Sequence, residues 1–136
     1  MQTMEVNYLA VLVAGAAYTI LGALWYSSAL FGNAWLRHIG KSKEQAEADF
    51  SIWKIVGAFV GSLIAGYGIA RILSWTSLEP LWGGFAVGLI GGICLVGTTV
   101  WMHVTMEGRS FKLAILNSLY SIVGFVIMGV IIGLWG

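Results

Sequence analysis

The stretch LGALWYSSALFGNAWLRHIG, residues 21–40, decides the fold. Its first part closes an apolar run that begins near Val6, and its second part carries tryptophan, arginine and histidine. Charge is costly in hydrocarbon and indole prefers the boundary with water, so such a change marks the point where a helix leaves a membrane.

Working outward, composition agrees with that boundary. The 136 residues are 59% hydrophobic and 10% charged, with 19 glycines and one proline; the mean hydropathy is +0.88. A soluble domain carries roughly a quarter charged residues, because its surface must meet water. This chain has too little charge to cover a globule and reads as a single integral membrane domain, 1–136. A net charge of +1 gives no reason to expect nucleic acid as a partner. The lone Cys94 excludes an intrachain disulfide and any paired-cysteine redox or metal motif.

Roughly 20 apolar residues cross the hydrocarbon core as a helix. The first expected span is 6–28. A cleaved signal peptide is the competing reading, but no basic residue precedes the run and the run exceeds a signal core. Residues 29–52 hold Arg37, His38, Lys41, Lys43, Glu44, Glu47 and Asp49 and form a loop outside lipid. Within it, Ser42 and Gln45 have capping-box spacing, and Ala46, Phe50 and Trp53 share a helical face. Two readings stand: a separate interfacial helix over 42–53, or a second span that starts outside the bilayer.

The second span is expected over 53–75, with tryptophan at both ends, and the third over 81–106, with Pro80 where a missing N–H is tolerated. The MEGRS turn follows, then a fourth span over 111–135. The fold class is therefore an all-α membrane protein, a four-transmembrane-helix bundle with a short interfacial or cytoplasmic helical segment between helices 1 and 2. Arg37, Lys41, Lys43, Lys54, Arg109 and Lys112 fall on one side of such a bundle, and only Arg71 lies toward the other. Basic residues are retained in the cytoplasm, so both termini are expected outside and both charged loops inside.

Glycines repeat at four-residue spacing: Gly57 and Gly61, Gly84, Gly88 and Gly92, Gly129 and Gly133. Small residues at that spacing let helices approach closely, which predicts packing along these faces and a central or interfacial third helix. Trp25, Gly32 and Trp35 share their spacing with Trp101, Gly108 and Phe111, a faint internal repeat.

Ionisable groups inside spans are the natural functional candidates. Arg71 is one: it either snorkels to the outer interface and pairs with Glu79 or Glu5, or it contacts an anion or substrate on the outer side. His103 and Thr99 share a face near the end of the third span, and Asn117, Tyr120 and Ser121 lie at comparable depth on the fourth. Together they form either a candidate polar pocket or interhelical hydrogen bonds. A cap is expected from Trp25, Tyr26, Phe31, Gly32, Trp35 and Arg37, with Arg37 and Lys41 meeting anionic lipid or Glu107, and the whole packed against the turn that carries Glu107 and Arg109. Met102, His103 and Met106 do not share one face, so no metal is expected. No cofactor is expected. No nucleophile with a base, intramembrane carboxylate pair or phosphate-cradling loop is visible, so enzyme chemistry is not expected.

The block LGALWYSSALFG followed by Trp35, with EGRSFKLAILNSLY and MGVIIGLW near the C-terminus, resembles the DUF1761 family of small bacterial and archaeal membrane proteins. The resemblance covers essentially the whole chain and implies a four-span protein of the cytoplasmic (inner) membrane with no assigned activity. Ser28 stands where family members commonly have proline, and Ser121 where histidine often follows the tyrosine. Glycine spacing, seven tryptophans and spans free of Asp and Glu point to a non-enzymatic structural or accessory subunit. Its expected partners are membrane lipid and either its own copies or a larger membrane complex. The alternative is a small oligomeric transporter or channel with a polar path near His103, Asn117 and Tyr120.

Overall fold

The computed structural model describes residues 6–27 and 29–135, and every regular element among them is helical. Ser28, at the expected end of the first span, and Glu5, an expected partner of Arg71, lie outside the described residues. The helices are α1 (Tyr8–Trp25), α2 (Gly32–Ile39), α3 (Lys43–Ala48), α4 (Ile52–Ser74), α5 (Pro80–Met106) and α6 (Phe111–Trp135). Four of them, α1, α4, α5 and α6, are long and apolar enough to cross a membrane.

Helix starts fall where a side chain can accept from the free N–H groups of the first turn, which lipid cannot satisfy. Asn7 Oδ1 accepts from Leu9 and Ala10 at 3.1 and 3.2 Å. Ser51 Oγ accepts from Trp53 at 3.3 Å. Glu79 accepts from Leu81 and Trp82 at 3.1 and 3.0 Å, with Pro80 in the first turn.

The choice left open for 42–53 falls to a separate helix. Ser42 and Gln45 form the reciprocal capping box of α3, and α3 ends before Ser51 starts α4. The loop also holds α2, which the spacing did not suggest. Gly40 closes α2 in the left-handed conformation at φ 75°. Gly32 opens it against the end of α1: its N–H donates to Ser27 O at 2.8 Å, and a Cβ there would strike the Tyr26 and Ser27 backbone.

In the bundle, α6 touches each of the other three spans, whereas α1 packs on α4 and α6, and α5 on α6 and α4. Spans α1 and α5 therefore occupy opposite corners. Of the two places expected for the third helix, the central one is corrected, since the hub is the fourth. The core lies between α1, α4 and α6, where Ala10, Ala14 and Met128 are fully enclosed beside Val11, Ile69, Leu73 and Ile132. Alanines on α1 and glycines on α6 leave room for that approach.

The α5–α6 contact is backbone against backbone. A Cβ on Gly84 would meet the Gly129 carbonyl, one on Gly88 the Phe125 carbonyl, one on Gly92 the Ile122 Cα at 2.8 Å, and one on Gly133 the Pro80 carbonyl. Gly57 and Gly61 differ: both are exposed, and nothing lies within 4 Å of where a Cβ would sit. Among the described residues they do not form the expected packing face.

Midway along α5 the backbone widens into a π-helical segment, Gly91–Gly97. Thr98 Oγ1 donates to Cys94 O at 2.7 Å, and Ser118 Oγ of α6 donates to Gly97 O at 3.2 Å, so hydroxyls meet carbonyls near the widened turn. On a straight α-helix the Gly84, Gly88 and Gly92 stripe would continue to Thr99 and His103. The wider turn brings Gly97 and then Val104 to the packed face, both buried, and leaves Thr99 and His103 exposed.

Candidate functional site

The polar residues expected to converge do so only in part. Thr99 is exposed and its hydroxyl hydrogen-bonds back to Leu95 O; His103 is exposed on the same face. Asn117, Tyr120 and Ser121 instead face α1. Tyr26 Oη donates to Asn117 Oδ1 at 2.8 Å, Tyr120 Oη donates to Tyr18 O at 3.2 Å, and Ser121 Oγ returns to Asn117 O. The five-residue pocket is thus corrected to a three-residue patch on α6 that meets two tyrosines of α1, because the π turn rotates His103 and Thr99 away.

Tyr18 and Gly22 of α1 and Tyr26, which caps its C-terminus, recur at every fourth position and present one face to α6. Gly22 is the gap that admits Tyr120, whose Oη lies 2.6 Å from where a Gly22 Cβ would sit. Gly124 similarly accommodates the Tyr18 ring. The Tyr120 ring then packs 4.8 Å from Tyr18, 5.3 Å from Tyr26 and 6.1 Å from Trp25, in the tilted and edge-on arrangements that aromatic quadrupoles favour. Tyr26 continues the cluster to Trp35 at 5.0 Å, and Trp25 to Phe31 at 4.6 Å. The expected cap of Trp25, Tyr26, Phe31, Gly32 and Trp35 is therefore seated on the tyrosines at the α1–α6 contact.

Two ion pairs are present among the described residues, and neither is the pairing of Arg37 or Lys41 with Glu107, one of the two expectations. Lys41 reaches Asp49 at 2.9 Å, and Arg109 pairs with its neighbour Glu107 at 2.9 Å, so Glu107 is not bound to Arg37 or Lys41. The Lys41 hydrogen bond and charge hold the exposed Asp49 carboxyl below its usual range. Arg71 does not pair with Glu79: its guanidinium donates to Tyr67 Oη at 3.1 and 3.2 Å and lies 5.3 Å from that ring's centre. Gly32 and Gly108, equivalent in the faint repeat, serve different purposes, since Gly32 is buried by backbone and Gly108 takes φ 70° in open space. Among the described residues, no three of His, Cys, Asp and Glu gather as metal ligands would.

Beside the tyrosine cluster, α1 and α4 separate. They meet where Ser62 Oγ donates to Gly15 O at 3.0 Å and where Leu63 fills the space beside Gly15. From there toward the cap they diverge around a cleft of about 630 Å³. Thr19, Gly22 and Ala23 form one wall, and Lys54, Ile55 and Ala58 the other. Tyr18 and Tyr120 lie behind, with Trp35 and Phe50 above. A second cavity of about 410 Å³ shares Tyr26, Trp35 and Phe50 with it and lies against α2 and α3. Tyr18 and Gly22 were not expected at a site, although the four-residue spacing of Tyr18, Gly22 and Tyr26 carries the signal, and Lys54 entered only as one of the basic residues that orient the bundle.

No curated protein and no solved structure matches the chain. The family model for DUF1761, a protein of unknown function, matches residues 9–133, nearly the whole length, and the chain belongs to that family.

Proposed function

We propose that this protein is a non-enzymatic accessory subunit of the cytoplasmic membrane that docks another transmembrane helix, its own copy's or a partner's, on α4. The observation that carries this is the contrast among its glycines. Glycine costs a helix roughly 1 kcal/mol relative to alanine. At Gly84, Gly88 and Gly129 that cost permits backbones to touch. Gly57, Gly61 and Gly68 lie along one stripe of α4 with nothing among the described residues within 4 Å of their Cβ positions, so no contact among those residues accounts for them. A helix packed there would. Trp53, 75% exposed at the start of α4, flanks the same region as an interfacial anchor.

The polar arrangement favours this role over transport. Thr99 and His103 are exposed apart from Asn117 and Tyr120, whose Oδ1 and Oη are engaged between α1 and α6. The distribution of lysine and arginine supports both termini outside and the cap in the cytoplasm. Gentle extraction from native membranes with mass analysis is the test. The full chain should travel as an assembly that Gly57→Leu with Gly61→Leu disrupts. A monodisperse monomer without companions would sink the idea, as would an assembly indifferent to those substitutions.

A further inference from the structure

The cleft between α1 and α4 has an unusual division of chemistry. Its polar wall groups are engaged within the protein: Thr19 Oγ1 donates to Gly15 O at 2.9 Å, Tyr26 Oη to Asn117, and Tyr120 Oη to the Tyr18 carbonyl. The one cationic group of the lining, the Lys54 ammonium, has no carboxylate within ion-pair distance among the described residues. Asp49, the acid whose titration Lys54 influences, is held by Lys41. Glu47 and Lys43 both line the adjoining upper cavity, so neither sign dominates there. The cleft thus offers one free cation at its mouth and apolar or aromatic surface below.

Its place in the fold narrows the occupant further. Lys54 lies in the first turn of α4 beside exposed Trp53, the level at which lipid headgroups meet a span. Ala58 is one turn deeper, and the Ser62–Gly15 contact closes the cleft roughly 12 Å below Lys54 at 1.5 Å per residue. An acyl chain would enter from the headgroup level, run past Ala58 and Ala23, and continue into the bilayer. From this geometry we infer that the cleft is a binding site for an anionic phospholipid of the bilayer, with its phosphate at Lys54 and one acyl chain against Ala23, Ala58 and Tyr18. Lys54 precedes Gly57 and Gly61 by three and seven residues and so borders the glycine stripe of α4, whereas Ile55 and the α1 wall lie away from it; lipid binding and helix docking are told apart by which substitutions abolish each.

The test is native mass spectrometry of the full chain in detergent, titrated with phosphatidylglycerol or with phosphatidylcholine of identical acyl chains. One lysine near an anionic headgroup should give about a fivefold preference for phosphatidylglycerol. Lys54→Gln should reduce that preference to parity, Lys54→Arg should keep it, and Lys112→Gln, outside the cleft, should leave it unchanged. Ala23→Leu with Ala58→Leu fills the cleft from exposed wall positions and should weaken both lipids at least fivefold, with helix content by circular dichroism unaltered. Equal binding of the two lipids by the unsubstituted chain would overturn the assignment. So would a preference that survives Lys54→Gln, or retention unaffected by filling the cleft. Loss of a dimer on filling, with lipid retention unchanged, would assign the cleft to a second copy instead.

Discussion

The same substitution, glycine to alanine, should move stability in opposite directions at two places in this bundle. At Gly129 the added methyl would fall on the Gly84 carbonyl, and the obstacle is backbone that cannot rotate aside. Helix α5 must then slide or lift from α6, loosening the neighbouring Gly88 and Gly133 contacts. Overpacking of this kind costs about 3 kcal/mol at the upper end, and the better helix propensity of alanine offsets about 1, leaving a loss of about 2 kcal/mol. At Gly61 the methyl enters open space, so only the propensity acts and the chain should gain up to about 1 kcal/mol. The assay is reversible unfolding by sodium dodecyl sulfate in mixed micelles, at protein dilutions where no oligomer persists. The two variants should differ by about 3 kcal/mol, the sum of the two effects. If both shift stability with the same sign, or if Gly129→Ala is tolerated as well as Gly61→Ala, the backbone contact between α5 and α6 is not what holds them.

Further outcomes follow from the site. A double-mutant cycle of Tyr26→Phe and Asn117→Leu should show a coupling of about 0.6–1.7 kcal/mol, the range for interhelical hydrogen bonds in membranes; no coupling would mean that the 2.8 Å contact contributes nothing. His103→Ala, on an exposed side chain, should leave unfolding within about 0.5 kcal/mol of the parent, and a larger loss would place His103 in a contact the bundle does not contain. Ser51→Ala should cost about 1 kcal/mol through loss of the α4 cap, read in the same unfolding assay. Asp49, held down by Lys41, should titrate by carbon-detected NMR below the 3.8 of a free side chain and return toward it in Lys41→Ala. The sign follows from that depression: the pair's contribution is complete above the unfolded-state value and disappears as pH falls through the lower folded value.

The four spans were legible in residues 21–40 and in the apolar runs around them, because lipid imposes a length and a polarity that composition cannot disguise. The starts of α3 and α5 were nearly as plain, since Ser42 and Gln45 bond to their own chain neighbours and Pro80 sits where a missing N–H is tolerated. The glycine run on α5 was correct as a spacing, yet its geometry in the bundle required the partner Gly129, which no spacing on α5 names. Membership of the polar site was not legible. Depth in the membrane follows from residue number, but the direction a side chain faces depends on every turn before it, and the π segment at Gly91–Gly97 changes that direction for Thr99 and His103. The cleft needed still more. It exists because α4 leaves α1 beyond Ser62 while Trp35 and Phe50 roof the gap, and a separation between helices is a property of several segments at once. The local chain thus determines where each helix starts, ends and crosses. Only the packed bundle decides which faces meet, which glycines touch, and that Lys54 stands at the mouth of an apolar cleft.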